Sequence, residues 1–119
     1  MSCILLIDDD PIQLRVRETV LRQAGVEVCV ATNAEGALAL LRSGTVKIDG
    51  VVTDHLLPGA GGADLVRGLR EIRPRLPVIV LTGHPDAEDE YSGLDVVFRL
   101  KPLPPAELIA LVRSIAPPA

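Results

Sequence analysis

The sequence predicts a doubly wound α/β domain, a parallel β-sheet covered by helices on both faces. Three observations carry that prediction. Five short runs of apolar or β-branched residues recur along the chain, as strands buried on both faces require. Segments with helical periodicity separate these runs, which is the pattern of βαβ units. Polar residues capable of chemistry follow four of the five runs directly, at the carboxyl ends of strands, where doubly wound sheets bind ligands. A chain of 119 residues forms one domain and buries a core without disulfides or a structural metal.

The elements follow in order. Cys3–Ile7 is the first strand. Asp10 is placed to cap a helix over Pro11–Ala24, with Pro11 at its first position and Gly25 at its end. Ile12, Val16, Val20 and Ala24 recur every four residues as the expected apolar stripe of that helix. Glu27–Ala31 is the second strand, and Thr32-Asn33-Ala34-Glu35 reads as a capping box before Ala37–Arg42, which stops at Ser43-Gly44. Gly50–Thr53 is the third strand. The glycine-rich Gly59-Ala60-Gly61-Gly62 reads as a flexible loop before a helix over Ala63–Ile72, closed by Arg73-Pro74. Val78–Leu81 is the fourth strand and Val96–Leu100 the fifth. Between them only Asp86–Ser92 can be helical, about two turns, acidic and with little to bury. The last helix spans Glu107–Ile115, with Pro104 at a poor capping position. The domain is read as residues 1–116 with a tail at 117–119.

Composition removes several functions. Lys and Arg number 12 against 16 Asp and Glu, a net charge of −4, which is the wrong sign for a nucleic-acid surface. Tyr91 and Phe98 are the only aromatics, so no stacking platform for single strands exists. Cys3 and Cys29 are too few for a disulfide framework and read as two small buried hydrophobes on neighbouring strands. No apolar run approaches the ~18 residues that span a bilayer. These features set the expectation of a cytoplasmic protein that binds neither membrane nor nucleic acid.

The strand ends carry the chemistry. The first ends in Asp8-Asp9-Asp10, the third in Asp54, the fourth in Thr82-Gly83 and the fifth in Lys101-Pro102. Carboxylates gathered at one edge repel each other and call for a cation. Hard oxygen donors suit Mg²⁺ rather than zinc. With a metal and Lys101 in place, a dianionic phosphoryl group becomes an acceptable ligand. His55 and His84 lack a second nitrogen or thiolate partner at metal-binding spacing and read as an exposed rim of the site.

Ile7-Asp8-Asp9-Asp10-Pro11, Val52-Thr53-Asp54-His55-Leu56-Leu57-Pro58-Gly59, Val80-Leu81-Thr82-Gly83 and Leu100-Lys101-Pro102 together resemble the receiver domain of two-component response regulators, in that family's order and over nearly the whole chain. The resemblance implies a flavodoxin-like sheet of strand order 2-1-3-4-5. It implies that Asp54 accepts a phosphoryl group from a histidine-kinase phosphohistidine, becoming an aspartyl phosphate. Mg²⁺ is then held by Asp9, Asp54 and the backbone carbonyl of Leu56, with Asp8 acting through water. Lys101 pairs with Asp54 and later with the phosphoryl oxygens, Thr82 and Gly83 meet the phosphoryl group, and Phe98 is the aromatic that follows Thr82. The resemblance also implies a cis Lys101–Pro102 bond. The implied partners are a cognate sensor histidine kinase or phosphotransfer protein and a downstream protein target or linked output domain. The expected state is a monomer or weak dimer. The short acidic segment before the fifth strand is expected to be poor at the family's symmetric dimer contact.

Two other functions use similar parts. A haloacid-dehalogenase-like phosphatase would use Asp8-x-Asp10, Thr82 and Lys101, but it leaves Asp54 unexplained and needs paired acids after Lys101 that the sequence does not supply. A receiver-like scaffold that works without phosphorylation has no use for the acceptor, acids, Thr and Lys all together.

Overall fold

The computed structural model describes residues 2–57 and 61–115. The expected tail at 117–119, and Gly59 and Ala60 of the glycine loop, lie outside the described residues. Five strands, β1 (Ser2–Ile7), β2 (Val28–Ala31), β3 (Lys47–Asp54), β4 (Val78–Thr82) and β5 (Val97–Leu100), form one parallel sheet in the order β2-β1-β3-β4-β5. Helices α1 (Pro11–Gln23), α2 (Ala34–Ser43), α3 (Gly62–Ile72) and α4 (Pro105–Ile115) connect and cover them.

Alternation along the strands sorts the core into two layers. Cys3, Leu5 and Ile7 of β1 pack with Ala37 and Leu41 of α2 and with Leu65, Val66 and Leu69 of α3. Ile4 and Leu6 point to the other face, against Leu14 and Leu21 of α1 and Leu108 and Val112 of α4. The central strands β1, β3 and β4 are buried on both faces, which is why they read as unbroken apolar runs. No helix among the described residues is long and apolar enough to cross a membrane.

Several sequence expectations are corrected. Of the stripe Ile12, Val16, Val20 and Ala24, Val20 packs against the core and Ala24 is half-buried, but Ile12 is 75% and Val16 55% exposed, and the fully packed residues of α1 are Leu14 and Leu21. A four-residue repeat overshoots the 3.6-residue turn at every step, whereas a spacing of seven returns to nearly the same face. Asn33, not Thr32, caps α2: its Oδ1 accepts from the Gly36 N–H at 2.7 Å, and the helix starts at Ala34. β3 is longer than expected and includes Asp54 itself.

Gly62 opens α3 instead of ending the loop. Its role is close approach, since a Cβ there would collide with the Tyr91 hydroxyl and the His55 carbonyl. Between β4 and β5 the chain forms a 3-10 helix over Pro85–Tyr91, not a short α-helix. At ~2.0 Å per residue a 3-10 helix covers more distance than an α-helix, which suits a short connection. The segment is acidic, as expected, but Ala87 and Tyr91 are both buried, so it is anchored more firmly than its composition suggests.

The two thiols sit on paired strands β1 and β2 with their sulfurs 2.7 Å apart. Burial, followed by the neighbouring Cys3 thiol, pushes Cys29 up to about 12. Such a thiol is unreactive at neutral pH and behaves as a packing group.

Candidate phosphoacceptor site

The site lies at the carboxyl edge of the sheet, over β1 and β3. β1 ends at Ile7, and the chain leaves it through Asp8, Asp9 and Asp10 into α1. Asp10 caps that helix, its Oδ1 accepting from the Ile12 N–H at 2.9 Å and the Gln13 N–H at 3.4 Å. Asp8 is buried and Asp9 exposed. β3 delivers Asp54 beside them because Ile7 of β1 pairs with Thr53. Asp8, Asp9 and Asp54 each place one carboxylate oxygen within 4.8 Å of the others, the only such group of metal-ligand side chains among the described residues. Its donors are three hard carboxylates with no sulfur or imidazole, which fits a magnesium ion.

Lys101 closes the other side. Its backbone N–H donates to the Thr82 carbonyl at 2.8 Å, the Lys101–Pro102 bond is cis, and its Nζ reaches Asp54 Oδ1 at 2.8 Å. The His55 N–H donates to the same Oδ1 at 3.1 Å. Both described contacts to the Asp54 carboxylate therefore converge on Oδ1, and Asp54 lines a cleft of about 470 Å³ with Asp8, Asp9, Asp10, Gln13, Leu56, Leu57 and Lys101.

The predicted residues divide into two groups. Asp8, Asp9, Asp54, Leu56 and Lys101 are brought to one cleft, with the Leu56 side chain out in solvent. Thr82, Gly83 and Phe98 do not line it. Thr82 is buried at the end of β4, where its Oγ1 accepts from the His84 N–H at 3.2 Å. Gly83 is exposed, with open space around it. Phe98 is half-buried on β5, its ring 5.9 Å from that of Tyr91.

His55 is a correction: it is buried, not part of an exposed rim. Strand alternation turns it away from the Asp54 side and into the interior under α3. There Nδ1 meets the Tyr91 hydroxyl at 2.6 Å and Nε2 lies 3.5 Å from a Glu90 carboxylate oxygen. His84 is exposed, as expected.

Sequence reasoning missed two side chains. Tyr91, through His55 and Phe98, ties the residue after Asp54 to the 3-10 helix and to β5. Arg17 donates from Nη1 to Asp8 Oδ2 at 2.6 Å. Its only sequence signal was a charged residue between Leu14 and Leu21, on the inner side of α1. The phosphatase arrangement is disfavoured by the same contacts, because Asp10 is engaged as a helix cap and Asp8 by Arg17.

Comparison with known proteins narrows what a doubly wound sheet with this acidic edge can be. Residues 4–113 match the response regulator receiver domain, and the chain belongs to that family. It is 35% identical over 114 residues to the DNA-binding response regulator MtrA of Mycolicibacterium smegmatis, covering 93% of this chain and 49% of that protein. It is 37% identical to a 14.6 kDa protein of Leptolyngbya boryana, covering 93% of this chain and 87% of the other. Among solved structures, a response regulator receiver protein from Sinorhizobium medicae superposes with a TM-score of 0.84 at 35% identity, over 97% of this chain and 93% of that one. The chain spans about half the length of MtrA and of most other curated relatives it matches. Membership in that family implies phosphorylation-based signalling.

Proposed function

We propose that Asp54 is the phosphoacceptor and that a phosphohistidine of a sensor histidine kinase or phosphotransfer protein is the donor. The observation that carries this reading is the pairing of Lys101 with Asp54 Oδ1 beside a cluster of two further carboxylates. Oδ2 attacks phosphorus in line, an O–P bond forms, the P–N bond of the phosphohistidine breaks, and the leaving imidazole keeps the N–P electron pair. Lys101 holds Asp54 in position before transfer and then neutralises phosphoryl oxygens. Asp9, Asp54 and the Leu56 carbonyl would hold Mg²⁺, with Asp8 acting through water. The bound ion supplies charge neutralisation to the transferring group.

The donor's histidine has to come within bonding distance of Asp54, so the donor protein must cover the neighbourhood of the cleft. Exposed Ile12 and Val16, with Leu103 and Pro102, line an apolar recess of about 530 Å³ that reaches Lys101, and this supplies apolar area for that contact. After transfer, the Thr82 hydroxyl turns to the phosphoryl group, and Phe98 and Tyr91 carry the change to the 3-10 helix and β5. There a downstream protein or linked output domain reads it.

Intact mass before and after incubation with acetyl phosphate and Mg²⁺ tests the assignment. The wild type should gain one phosphoryl group and Asp54→Asn none. Equal uptake by the variant would place the acceptor elsewhere.

A further inference from the structure

The inner face of α1 carries a cation. Arg17 lies between Leu14 and Leu21, both buried, and its own side chain is only 14% exposed. A guanidinium in that position needs a partner. It finds Asp8, whose side chain is 2% exposed, with Nη1 2.6 Å from Oδ2. Nη2 donates to Gln13 Oε1 at 2.9 Å, one turn back on the same helix, so the guanidinium is held at two points. The other Asp8 oxygen, Oδ1, accepts from the Asp10 N–H at 2.9 Å. Both oxygens of the buried carboxylate are thus engaged by the protein itself.

This changes the charge that an entering cation meets. Three carboxylates form the cluster and Asp10 lines the same cleft, while Lys101 stands against Asp54 and Arg17 against Asp8, so two net negative charges remain. Lys101 belongs to the chemistry of Asp54. Among the described contacts Arg17 makes no hydrogen bond or ion pair with Asp54 or Asp9, yet it compensates the most deeply buried carboxylate of the three.

We propose that Arg17 is an internal counter-cation to the metal site, compensating Asp8 when no divalent ion is bound and thereby weakening the site's affinity for one. This rests on the metal reading given under Proposed function. Its consequence is a site that is stable without metal and that takes up magnesium less readily than its three carboxylates alone would allow. Arg17 is a positioning residue, acting through Asp8.

Calorimetric titration of chelator-treated protein with MgCl₂, paired with thermal melts with and without the ion, tests the idea on wild type and Arg17→Met. Methionine keeps the apolar stem of the side chain and removes the charge. Magnesium affinity should rise about tenfold, which corresponds to ~1.4 kcal/mol. The metal-free melting temperature should fall, because Asp8 is left buried and unpaired, and saturating magnesium should recover part of the loss. A purely structural arginine would lower stability without strengthening metal binding. Arg17→Lys keeps the charge and should restore affinity towards the wild-type value.

Gln13→Ala loosens the guanidinium from an exposed position and should raise affinity by a smaller factor, about two- to threefold. That variant decides the matter if Arg17→Met does not fold without metal. Magnesium bound by the wild type, with no gain in the variants, overturns the role of Arg17 and leaves the metal site standing. Magnesium bound by neither wild type nor variants overturns both.

Discussion

At the β1–β3 end of the sheet edge, Asp8, Asp9 and Asp54 are drawn together by the backbone, and their mutual repulsion is relieved by Arg17 and Lys101. A few residues away, under α3, His55, Tyr91 and Gly62 pack around a hydroxyl–imidazole contact, with a Glu90 carboxylate oxygen 3.5 Å from the other ring nitrogen. A buried hydroxyl meets a buried imidazole, and the missing Cβ of Gly62 makes room for that hydroxyl and the His55 backbone. The first corner gathers like charges that oppose folding, at the place where the proposed function puts a cation and a phosphoryl group. The second is a satisfied polar contact inside the core and supports folding outright. The two corners meet at consecutive residues, Asp54 and His55, which point to opposite sides of one strand end. Function and stability are thereby separated by the pleat of β3.

If that separation holds, removing a like charge from the carboxylate corner should raise stability, whereas removing a partner from the polar core contact should lower it. The largest effect is expected for Tyr91→Ala, which empties a buried aromatic site shared with His55 and Phe98 and should cost about 3–5 kcal/mol in denaturant unfolding. A loss below ~1 kcal/mol would show that the 3-10 helix is not anchored there.

Tyr91→Phe keeps the ring and removes only the hydroxyl, leaving His55 Nδ1 unpaired, so about 1–3 kcal/mol should be lost. Burial above all, then the charges of Glu90 and Asp54, pushes the Tyr91 phenol above its ordinary value of 10.0. The raised folded-state value means that its stabilisation is fully present below pH ~10 and is lost as pH rises beyond it. Tyr91 is the only tyrosine, so phenolate absorbance reports it alone. Wild type should lose more stability than Tyr91→Phe as pH rises beyond ~10, the variant keeping only the share that the buried Cys29 thiol contributes to both; an equal loss in both would assign it elsewhere.

In the carboxylate corner the sign reverses. Asp9→Asn removes one of three like charges from an exposed position and should raise metal-free stability by about 0.5 kcal/mol while weakening magnesium binding. A destabilised Asp9→Asn would mean that the cluster is not strained by repulsion, and the contrast between the corners would fail.

The sheet and its reactive edge were legible because both are written locally. Strands buried on two faces must be short apolar runs, and the residue that leaves each run must stand at the strand end. This is how Asp54, Lys101 and Asp8-Asp9 could be placed by counting. The α1 stripe was misread because a short four-residue repeat imitates a helical face. Only packing shows that Leu14 and Leu21 are the buried pair while Ile12 and Val16 face out. Gly62 looked like loop flexibility, since nothing near it in the chain announces the hydroxyl that needs its space.

By itself, the sequence determined the alternation of strands and helices, the Asp10 cap on α1, and the set of acids and lysine at the sheet edge. These depend on residues within a turn or two of each other, whose preferences act before any tertiary contact forms. Tertiary structure alone decided that Arg17 would meet Asp8 nine positions away, that Tyr91 would meet His55 across thirty-six, and that the acidic connection would wind as a 3-10 helix. Those pairings follow from which faces the helices bury, and desolvation enforces them: a buried guanidinium, carboxylate, phenol or imidazole must find a partner wherever the fold brings one within reach.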